Sequence, residues 1–392
     1  MKNKFLRIAA LFVISCLSSM QALAEFKSTV YWGGVSFSDW EMQEEKFPFV
    51  ASTLCRAQQC AGPSIDTIAL KSLQVAQFDE FNVSMDYIST RSVERIIITP
   101  MITGESVNVV EDKVGDKTSF IHTYRIYATL TFFEFGSGRF IAAKPVITQF
   151  TDSLDHRATD AEHRATFVGL LDGAEGQGLF DLLFSSAKNL RLSNLNDRFI
   201  RLSSVSIEPD ALSVLDFHGS ESTWSSQIAK LFESFLVRDT NAPFVPFSPG
   251  SELTSELSAT FANGAQVISL PKEVPYNVKV TVNKLAEMVS VDRKAKTVCH
   301  AVALTLEVEG PLDSILSQRL LRTRESCGVV ATEKKLDPAY YFTQSVLSLL
   351  NEVSKNINDS PRDEFFKRAA PKDKNVKKKF VTAWRSVFKS DW

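Results

Sequence analysis

The chain has 392 residues, 44% of them hydrophobic, which is enough for two domains of ordinary size that each bury a core. The 44 Lys and Arg residues nearly balance the 46 Asp and Glu residues and leave a formal net charge of −2. This balance excludes a chain that binds a polyelectrolyte such as nucleic acid through its overall charge, so charge arguments apply only to local segments.

Residues 1–24 have the pattern of an export signal. Lys2, Lys4 and Arg7 precede a short apolar core, and Ala22–Ala24 has the small-x-small pattern of a signal-peptidase site. The apolar core is too short for a comfortable transmembrane helix, and no later stretch approaches ~18 uninterrupted apolar residues. We therefore predict cleavage after Ala24 and a periplasmic mature protein.

The same segment allows a second interpretation. Val13–Cys16 resembles a lipobox, in which Cys16 becomes the lipidated N-terminus of an outer-membrane lipoprotein. The polar residues Ser18, Ser19 and Gln21 suit the region before a signal-peptidase site and favour the first interpretation.

Export places the remaining thiols in an oxidising compartment, where disulfides persist. Four cysteines follow the signal segment, and they allow three pairings: Cys55, Cys60, Cys299 and Cys327. A hairpin between Ala301–Glu309 and Ser317–Glu325 would place Cys299 opposite Cys327, and Cys55 would then pair with Cys60. Free buried thiols are the alternative, and two cysteines without nearby histidines are weak evidence for a metal site.

The first half of the mature chain carries clear strand signals. β propensity and periodicity predict a strand at Thr29–Phe37 that is broken at Gly33-Gly34, and strands around Ile96–Ile98, at Thr123–Phe135 and at Arg139–Thr151. The polar segment Asn108–Lys117 between them predicts a hairpin loop. Pro145 cannot donate a ladder hydrogen bond, so the strand that contains it should lie at a sheet edge or carry a bulge.

Helical segments accompany these strands. A helix is predicted at Pro48–Cys55, and Ile68–Phe78 fits either a helix or a strand. Asp152–Ser193 is predicted to be mainly helical, with the glycines of Gly173–Gly178 separating two helices.

The second half repeats the strand and helix signals. The predicted strands are Phe199–Ser206, Ala211–Phe217, Val278–Glu287 and the hairpin that contains Ala301–Glu309. Ser222 can cap an amphipathic helix that begins near Trp224, and Asp337-Pro338 starts a long helix with apolar residues on one stripe from Phe342 to Ile357.

Two similar stretches suggest an internal repeat. Thr129–Gly136 (TLTFFEFG) and Ala303–Gly310 (ALTLEVEG) each read as a strand that runs into a turn, a return strand and a long helix. We predict an α+β fold of two tandem related modules, each a mixed or antiparallel sheet covered by helices. The predicted modules are residues 25–204 and 205–360, followed by a basic C-terminal tail at 361–392.

The two copies differ on one strand face. Val302 to Val308 alternates with polar residues, so one face should be buried and one solvated. The first copy places Phe133 and Phe135 where the second has Glu307 and Glu309. Two exposed phenylalanines would form an interaction surface, and the alternative is that a loop or the other module covers them.

No familiar catalytic motif is present in the sequence: GxSxG, GxxxxGK[ST], HExxH and GxGxxG after a strand are all missing. On a helix, His156, Asp160 and His163 would share one face and could hold a divalent metal. A solvated, salt-bridged helix surface explains the same residues, and we expect no cofactor.

The C-terminal segment is basic and amphipathic. Lys377, Lys378 and Lys379 precede an apolar stripe that includes Phe380 and Trp384. Such a helix could lie on an anionic membrane, dock on a partner, or pack back on its own module with its lysines in water. A nucleic-acid partner is not expected for an exported chain.

Val214–Phe217 (VLDF), followed by an amphipathic helix and then strands, resembles the small α/β module of the TolB amino-terminal domain. It is also similar to modules of the curli secretion channel family and of some flagellar-ring accessory proteins. The resemblance covers about Ala211–Ile357, and it implies a non-enzymatic envelope component that acts through protein contacts.

Two functions follow as expectations. The first is a periplasmic protein that contacts envelope proteins, or itself, in a Gram-negative secretion, pilus or flagellar-type assembly. The second is a periplasmic protein that binds a small ligand or a metal, with hydrolytic activity through the His156–His163 face left open.

Overall fold

A computed structural model describes residues 27–38, 47–51, 64–85, 95–114, 117–174, 177–192, 199–213, 221–240, 244–247, 256–261, 264–271, 273–292, 295–312, 314–322, 327–331, 338–357 and 361–388. The fold is α+β with two sheet-bearing units in tandem, as the sequence predicts. The predicted signal segment, Cys16, Cys55 and Cys60 lie outside the described residues.

The first unit is built on a mixed sheet. Its strands are β1 (Ser28–Trp32), β2 (Ser36–Phe37), β3 (Phe81–Ser84), β4 (Ile96–Val114), β5 (Lys117–Glu134) and β6 (Phe140–Leu154). Its helices are α1 (Ile65–Val75), α2 (Asp160–Asp172) and α3 (Leu179–Ser186). The strand order is β3-β1-β4-β5-β6, with β2 also paired to β4. The strand that contains Pro145 is therefore the edge strand, which confirms the prediction.

The second unit has its own mixed sheet. Its strands are β7 (Ile200–Ile207), β8 (Phe244–Val245), β9 (Glu256–Phe261), β10 (Gly264–Ser269), β11 (Tyr276–Asp292), β12 (Ala295–Glu309), β13 (Ser314–Arg322) and β14 (Cys327–Ala331). Its helices are α4 (Pro209–Leu212), α5 (Glu221–Asp239), α6 (Pro338–Lys355), α7 (Asp363–Ala369) and α8 (Val376–Phe388). The main sheet has the order β13-β12-β11-β7-β8, with β14 paired to β12, while β9 and β10 form a separate antiparallel pair.

The two main sheets share one connectivity. In each, the first strand runs parallel to its two neighbours, namely β1 to β3 and β4, and β7 to β8 and β11. An antiparallel meander of three strands then follows, β4-β5-β6 or β11-β12-β13. The repeat that the sequence suggests is therefore present in the strand order.

Matching β-bulges give the structural alignment of the copies. The β4–β5 ladder shifts register between Ile102 and Gly104, and the β11–β12 ladder shifts between Val282 and Lys284. Superposing these bulges pairs Phe133 with Glu309 rather than with Glu307. Glu307 and Glu309 have their side chains on the same face of β12, because side chains two residues apart on a strand point to the same side. The comparison of the two faces is therefore unchanged.

Some predicted elements are wrong. Asn108–Lys117 is not a loop: β4 continues to Val114, and β5 begins at Lys117. Ala211 and Leu212 belong to the short helix α4 rather than to a strand, and Val214–Phe217 lies outside the described residues. The predicted module boundary at 204/205 falls inside β7, which pairs with β11 in the second sheet.

Candidate functional site

A groove runs between the two units, and we call it the inter-unit groove. Its floor is Pro145–Gln149 of β6, one wall is α3 with Lys188 and Asn189 after it, and the other wall is α5 and α6. Its volume is about 770 Å³. Ligand pockets commonly have volumes of about 300–1,000 Å³ and often lie between domains.

The floor of the groove is the edge of a sheet. Pro145, Ile147 and Gln149 have side chains on one face of the strand, and Val146 has its side chain on the opposite face. Because residues of both parities line the groove, it meets β6 at the strand edge rather than over one face. β6 is the last strand in the sheet order, so this edge has no further strand beside it in that sheet.

The polar groups of the groove are mainly amides and hydroxyls, and they share the lining with apolar side chains such as Leu231, Phe235 and Leu347. Gln149 Oε1 accepts a hydrogen bond from Arg125 Nε at 2.7 Å, which fixes the amide on the floor. Arg238 Nη2 donates to Asn351 Oδ1 at 2.7 Å and thereby joins α5 to α6 across the far wall. The Arg238 guanidinium also lies 5.4 Å from the centroid of the Phe235 ring.

A buried polar cluster lies beside the groove, where α5 packs on the first sheet. Lys230 Nζ donates to the Thr103 carbonyl at 2.9 Å and lies 5.4 Å from the centroid of the Tyr127 ring. Glu233, one turn along α5, is only 2% exposed. A small cavity of about 20 Å³ borders both α5 side chains, which is room for about one water molecule.

Burial dominates the electrostatics of Glu233. It raises the pKa of the carboxyl from 4.5 to about 8, although a hydrogen bond from the Phe247 backbone and the charges of Lys230 and Arg201 act in the opposite direction. Among the described residues, Glu233 Oε1 has no hydrogen-bond partner. Glu233 is therefore protonated at neutral pH, and its desolvated carboxyl belongs to the packing of α5 rather than to an open site.

A second, partly buried carboxyl holds the segment at 47–51 against β4. Glu105 Oε1 accepts from Phe49 N at 2.9 Å, and Glu105 Oε2 accepts from Val50 N at 2.7 Å. Burial nevertheless raises the pKa of Glu105 to about 7, because desolvation outweighs these two hydrogen bonds.

The phenylalanine surface predicted from the repeat is covered. Phe133 is fully buried and packs in a cluster with Phe199, Ile268 and Leu270, which come from the second half of the chain. Phe135 is partly buried and packs against the same cluster. The interpretation of these side chains as an exposed interaction surface is therefore wrong, and the alternative of coverage by the rest of the chain is correct.

The C-terminal helix packs on its own unit. Phe380 and Trp384 of α8 are fully buried in the core of the second sheet. Lys378 and Lys379 are exposed, and Lys377 forms an ion pair with Asp363 of α7. The apolar stripe is thus unavailable to a membrane or a partner, and only the lysine face remains in contact with solvent.

The predicted disulfide is present. Cys299 of β12 pairs directly with Cys327 of β14, and the two sulfur atoms are bonded. The covalent bond closes a loop of sequence separation 28 beside the hairpin. The partner of each cysteine is the one that the hairpin register predicts.

The proposed metal face does not form. α2 begins at Asp160 behind an N-cap at Thr159, so His156 lies before the helix. His156 instead contacts Asp155 and Glu162, whereas His163 Nδ1 lies 3.1 Å from Tyr124 Oη. In the part of the chain that the structure describes, no three His, Cys, Asp or Glu side chains are grouped to hold a metal ion.

The sequence did not reveal the groove. Its residues come from β6, α3, α5 and α6, which are separated along the chain, and no local motif connects them. Pro145 was the one usable signal, because it marked β6 as an edge strand. No helix among the described residues is both long enough and apolar enough to span a membrane.

Comparison with known proteins adds little. The chain matches no protein-family model, and no curated protein matches it. One similar solved structure is a neuraminyllactose-binding hemagglutinin homolog from Helicobacter pylori, with 16% identity and a TM-score of 0.28 over 42% of this chain and 87% of that chain. At this TM-score the likeness supports no argument about fold or function.

Proposed function

We propose that this chain is a non-enzymatic periplasmic protein that binds a segment of another envelope protein in the inter-unit groove. The observation that carries the proposal is the groove itself, in which a strand edge is walled by helices of both units. A strand edge offers backbone donors and acceptors, and this is how many proteins bind extended polypeptides.

Two features of the sequence support the location. Residues 1–24 have the pattern of an export signal. The Cys299–Cys327 disulfide is typical of proteins in oxidising compartments such as the bacterial periplasm. The resemblance to TolB-type modules adds the expectation of an envelope assembly built through protein contacts.

A small ligand is the second candidate occupant. The groove volume of about 770 Å³ lies within the usual range for small-molecule sites. The amide and hydroxyl groups of the walls suit a neutral polar molecule as well as a peptide backbone. The two occupants are separated by size, so the experiment must report the mass of whatever is bound.

Photo-crosslinking in living cells tests the site. A photoreactive amino acid replaces Ser348, which lies on the α6 wall of the groove. The matched control replaces Lys71, an exposed residue of α1 outside the groove. We expect a discrete protein adduct from position 348 and none from position 71. Equal adducts from both positions, or none from either, would contradict the proposal.

Two mass measurements complete the test. Intact mass of the protein released by osmotic shock should correspond to a chain that begins at Glu25, whereas a lipid on Cys16 would place the protein in the membrane fraction. Native mass spectrometry of the purified protein would reveal a retained small molecule. A retained molecule that is lost on Ser348→Trp would favour the second candidate.

A further inference from the structure

We infer that the outer edge of β6 at Pro145–Gln149 binds an acidic, extended peptide as an added strand. This inference rests on the proposed function and makes it specific, because it names both the backbone groups that bind and the charge of the occupant. Four observations carry it: the direction of the backbone groups, the limits of the free edge, the charge of the walls and the fixed position of one cation.

The position of Pro145 indicates which backbone groups face outward. Proline has no N–H, so on an edge strand its nitrogen faces away from the neighbouring strand. In an antiparallel strand, alternate residues direct both their N–H and C=O to the same side. Ile147 and Gln149 therefore present both groups outward, and Pro145 presents its carbonyl. Ser153 lies an even number of residues further along β6, so its N–H should also face outward. In agreement, this N–H donates to the Asp152 side chain at 2.7 Å rather than to β5.

The free edge has a defined beginning. At the start of β6, Arg139 forms a parallel bridge with Ser269, and Ser269 N donates to the Gly138 carbonyl at 2.9 Å. At Pro145–Gln149 β6 has β5 on one side and the groove on the other. A peptide that lies in the groove would therefore continue the sheet at the usual strand spacing of ~4.8 Å.

The walls select for negative charge. Lys188 and Arg238 line the groove, one on each side of the β6 edge, and no Asp or Glu is among the described residues that line it. The chain as a whole has 44 basic and 46 acidic residues, so a lining with cations alone departs from the general composition. Arg238 is held by Asn351 and Phe235, which fixes its charge at the wall. Acidic side chains of an added strand would meet one cation on each side.

The binding experiment uses two fluorescein-labelled heptapeptide pools and fluorescence polarisation. One pool carries Asp or Glu at two adjacent central positions among Val and Thr, so that the two acidic side chains point to opposite faces of a strand, and the other pool carries Lys or Arg at the same two positions. We expect the acidic pool to bind and the basic pool to bind at least tenfold more weakly. Lys188→Glu should weaken acidic binding about fivefold, and the control Lys71→Glu, with the same charge change outside the groove, should leave it unchanged.

Backbone substitution tests strand addition itself. Ile147→Pro removes an outward N–H and should reduce acidic-pool binding at least tenfold, whereas Thr151→Pro removes an N–H of the same parity outside the groove and should not. Circular dichroism checks that both variants fold. Hydrogen exchange on the unmodified protein is independent of any variant: the amides of Ile147 and Gln149 should gain protection when the acidic pool is bound.

The outcomes distinguish failure of strand addition from failure of the groove as a binding site. Crosslinks from position 348 without protection of the Ile147 amide, or with equal binding of both pools, would overturn strand addition and leave the groove as the binding site. Absence of crosslinks together with absence of peptide binding would overturn both.

Discussion

Glu233 gives the sharpest test of how the two units are packed. Its carboxyl is buried between α5 and the first sheet, and burial raises its pKa from 4.5 to about 8. At pH values between these two pKa values, the Glu233 carboxyl keeps its proton in the folded state and loses it in the unfolded state. Stability contributed by this group is therefore fully present below pH 4.5 and is lost progressively as the pH rises to about 8.

The magnitude follows from the distance between the two pKa values. Each pH unit above 4.5 lowers the free energy of unfolding by about 1.4 kcal/mol, until the carboxyl ionises in the folded state as well. The cost is therefore about 3 kcal/mol at pH 7 and about 5 kcal/mol above pH 8, as order-of-magnitude values. Glu233→Gln keeps an acceptor for the Phe247 N–H and cannot ionise, so it should remove this cost.

The assay is urea denaturation at pH 5, 6, 7, 8 and 9, followed by intrinsic tryptophan fluorescence, to which Trp224 and Trp384, both buried in the second unit, contribute. We expect Glu233→Gln to match the unmodified protein near pH 5 and to be more stable by about 3 kcal/mol at pH 7. Glu105, with a pKa of about 7, adds the same pH dependence to both proteins, so the difference between them isolates Glu233.

The control is Glu221→Gln, which changes an exposed carboxyl in the first turn of the same helix. Its free energy of unfolding should stay within about 0.5 kcal/mol of that of the unmodified protein, as is usual for exposed substitutions. Parallel curves for Glu233→Gln and the unmodified protein from pH 5 to 9 would show that the carboxyl is not desolvated in the folded state, and the reasoning would fail.

Three further predictions concern the covalent and apolar contacts. Replacing Cys299 and Cys327 by Ala should lower the free energy of unfolding by about 3–4 kcal/mol, measured by urea denaturation, and an unchanged midpoint would show that the disulfide does not constrain the chain. Phe133→Ala should cost about 3–5 kcal/mol because the ring is fully buried, and a stable protein with altered partner binding would contradict this. Trp384→Ala should cost a similar amount, whereas Lys378→Glu on the exposed face of α8 should stay within about 0.5 kcal/mol; equal thermal shifts for the two would refute the packing of this helix.

Local signals predicted much of the fold. Pro145 marked the edge strand through a missing N–H, and the hairpin register placed Cys299 opposite Cys327. The alternation from Val302 to Val308 correctly indicated one buried face, because the even positions pack under the helices of the second unit. Each of these predictions depends on residues that are close in sequence or joined by one turn.

Two predictions failed because a polar or apolar pattern had a different structural cause from the one inferred from the sequence. Asn108–Lys117 is polar because β4 and β5 extend beyond the covered part of the sheet, so solvated side chains occur within a regular ladder. The stripe that contains Phe380 and Trp384 suited an interface, and the interface is with the second sheet of the same chain. A sequence pattern shows that an apolar face needs cover, but it does not show which element supplies the cover.

The inter-unit groove could not be predicted for the same reason. It exists only because α5 packs on β6 of the first unit as well as on β7 of its own. The corresponding faces of the two sheets therefore have different surroundings. On the first sheet this face is covered by the second unit, whereas on the second sheet it faces solvent. This difference explains why the first sheet has Phe133 where the second has Glu309. The two units therefore differ in sequence at a residue where one unit contacts the other.

The groove and the buried carboxyl are close together, because the cavity that borders Glu233 and the inter-unit groove share Pro145, Val146 and Ile147. Keeping Glu233 neutral costs about 3 kcal/mol at pH 7. A peptide present at 100 times its dissociation constant would stabilise the folded state by about 2.7 kcal/mol. The two free energies are therefore of similar size. Stabilisation by a bound peptide depends only on its free concentration and its dissociation constant, so it should be equal in the unmodified protein and in Glu233→Gln at each pH. A larger gain in the unmodified protein at high pH would show that occupancy of the groove and ionisation of Glu233 are coupled.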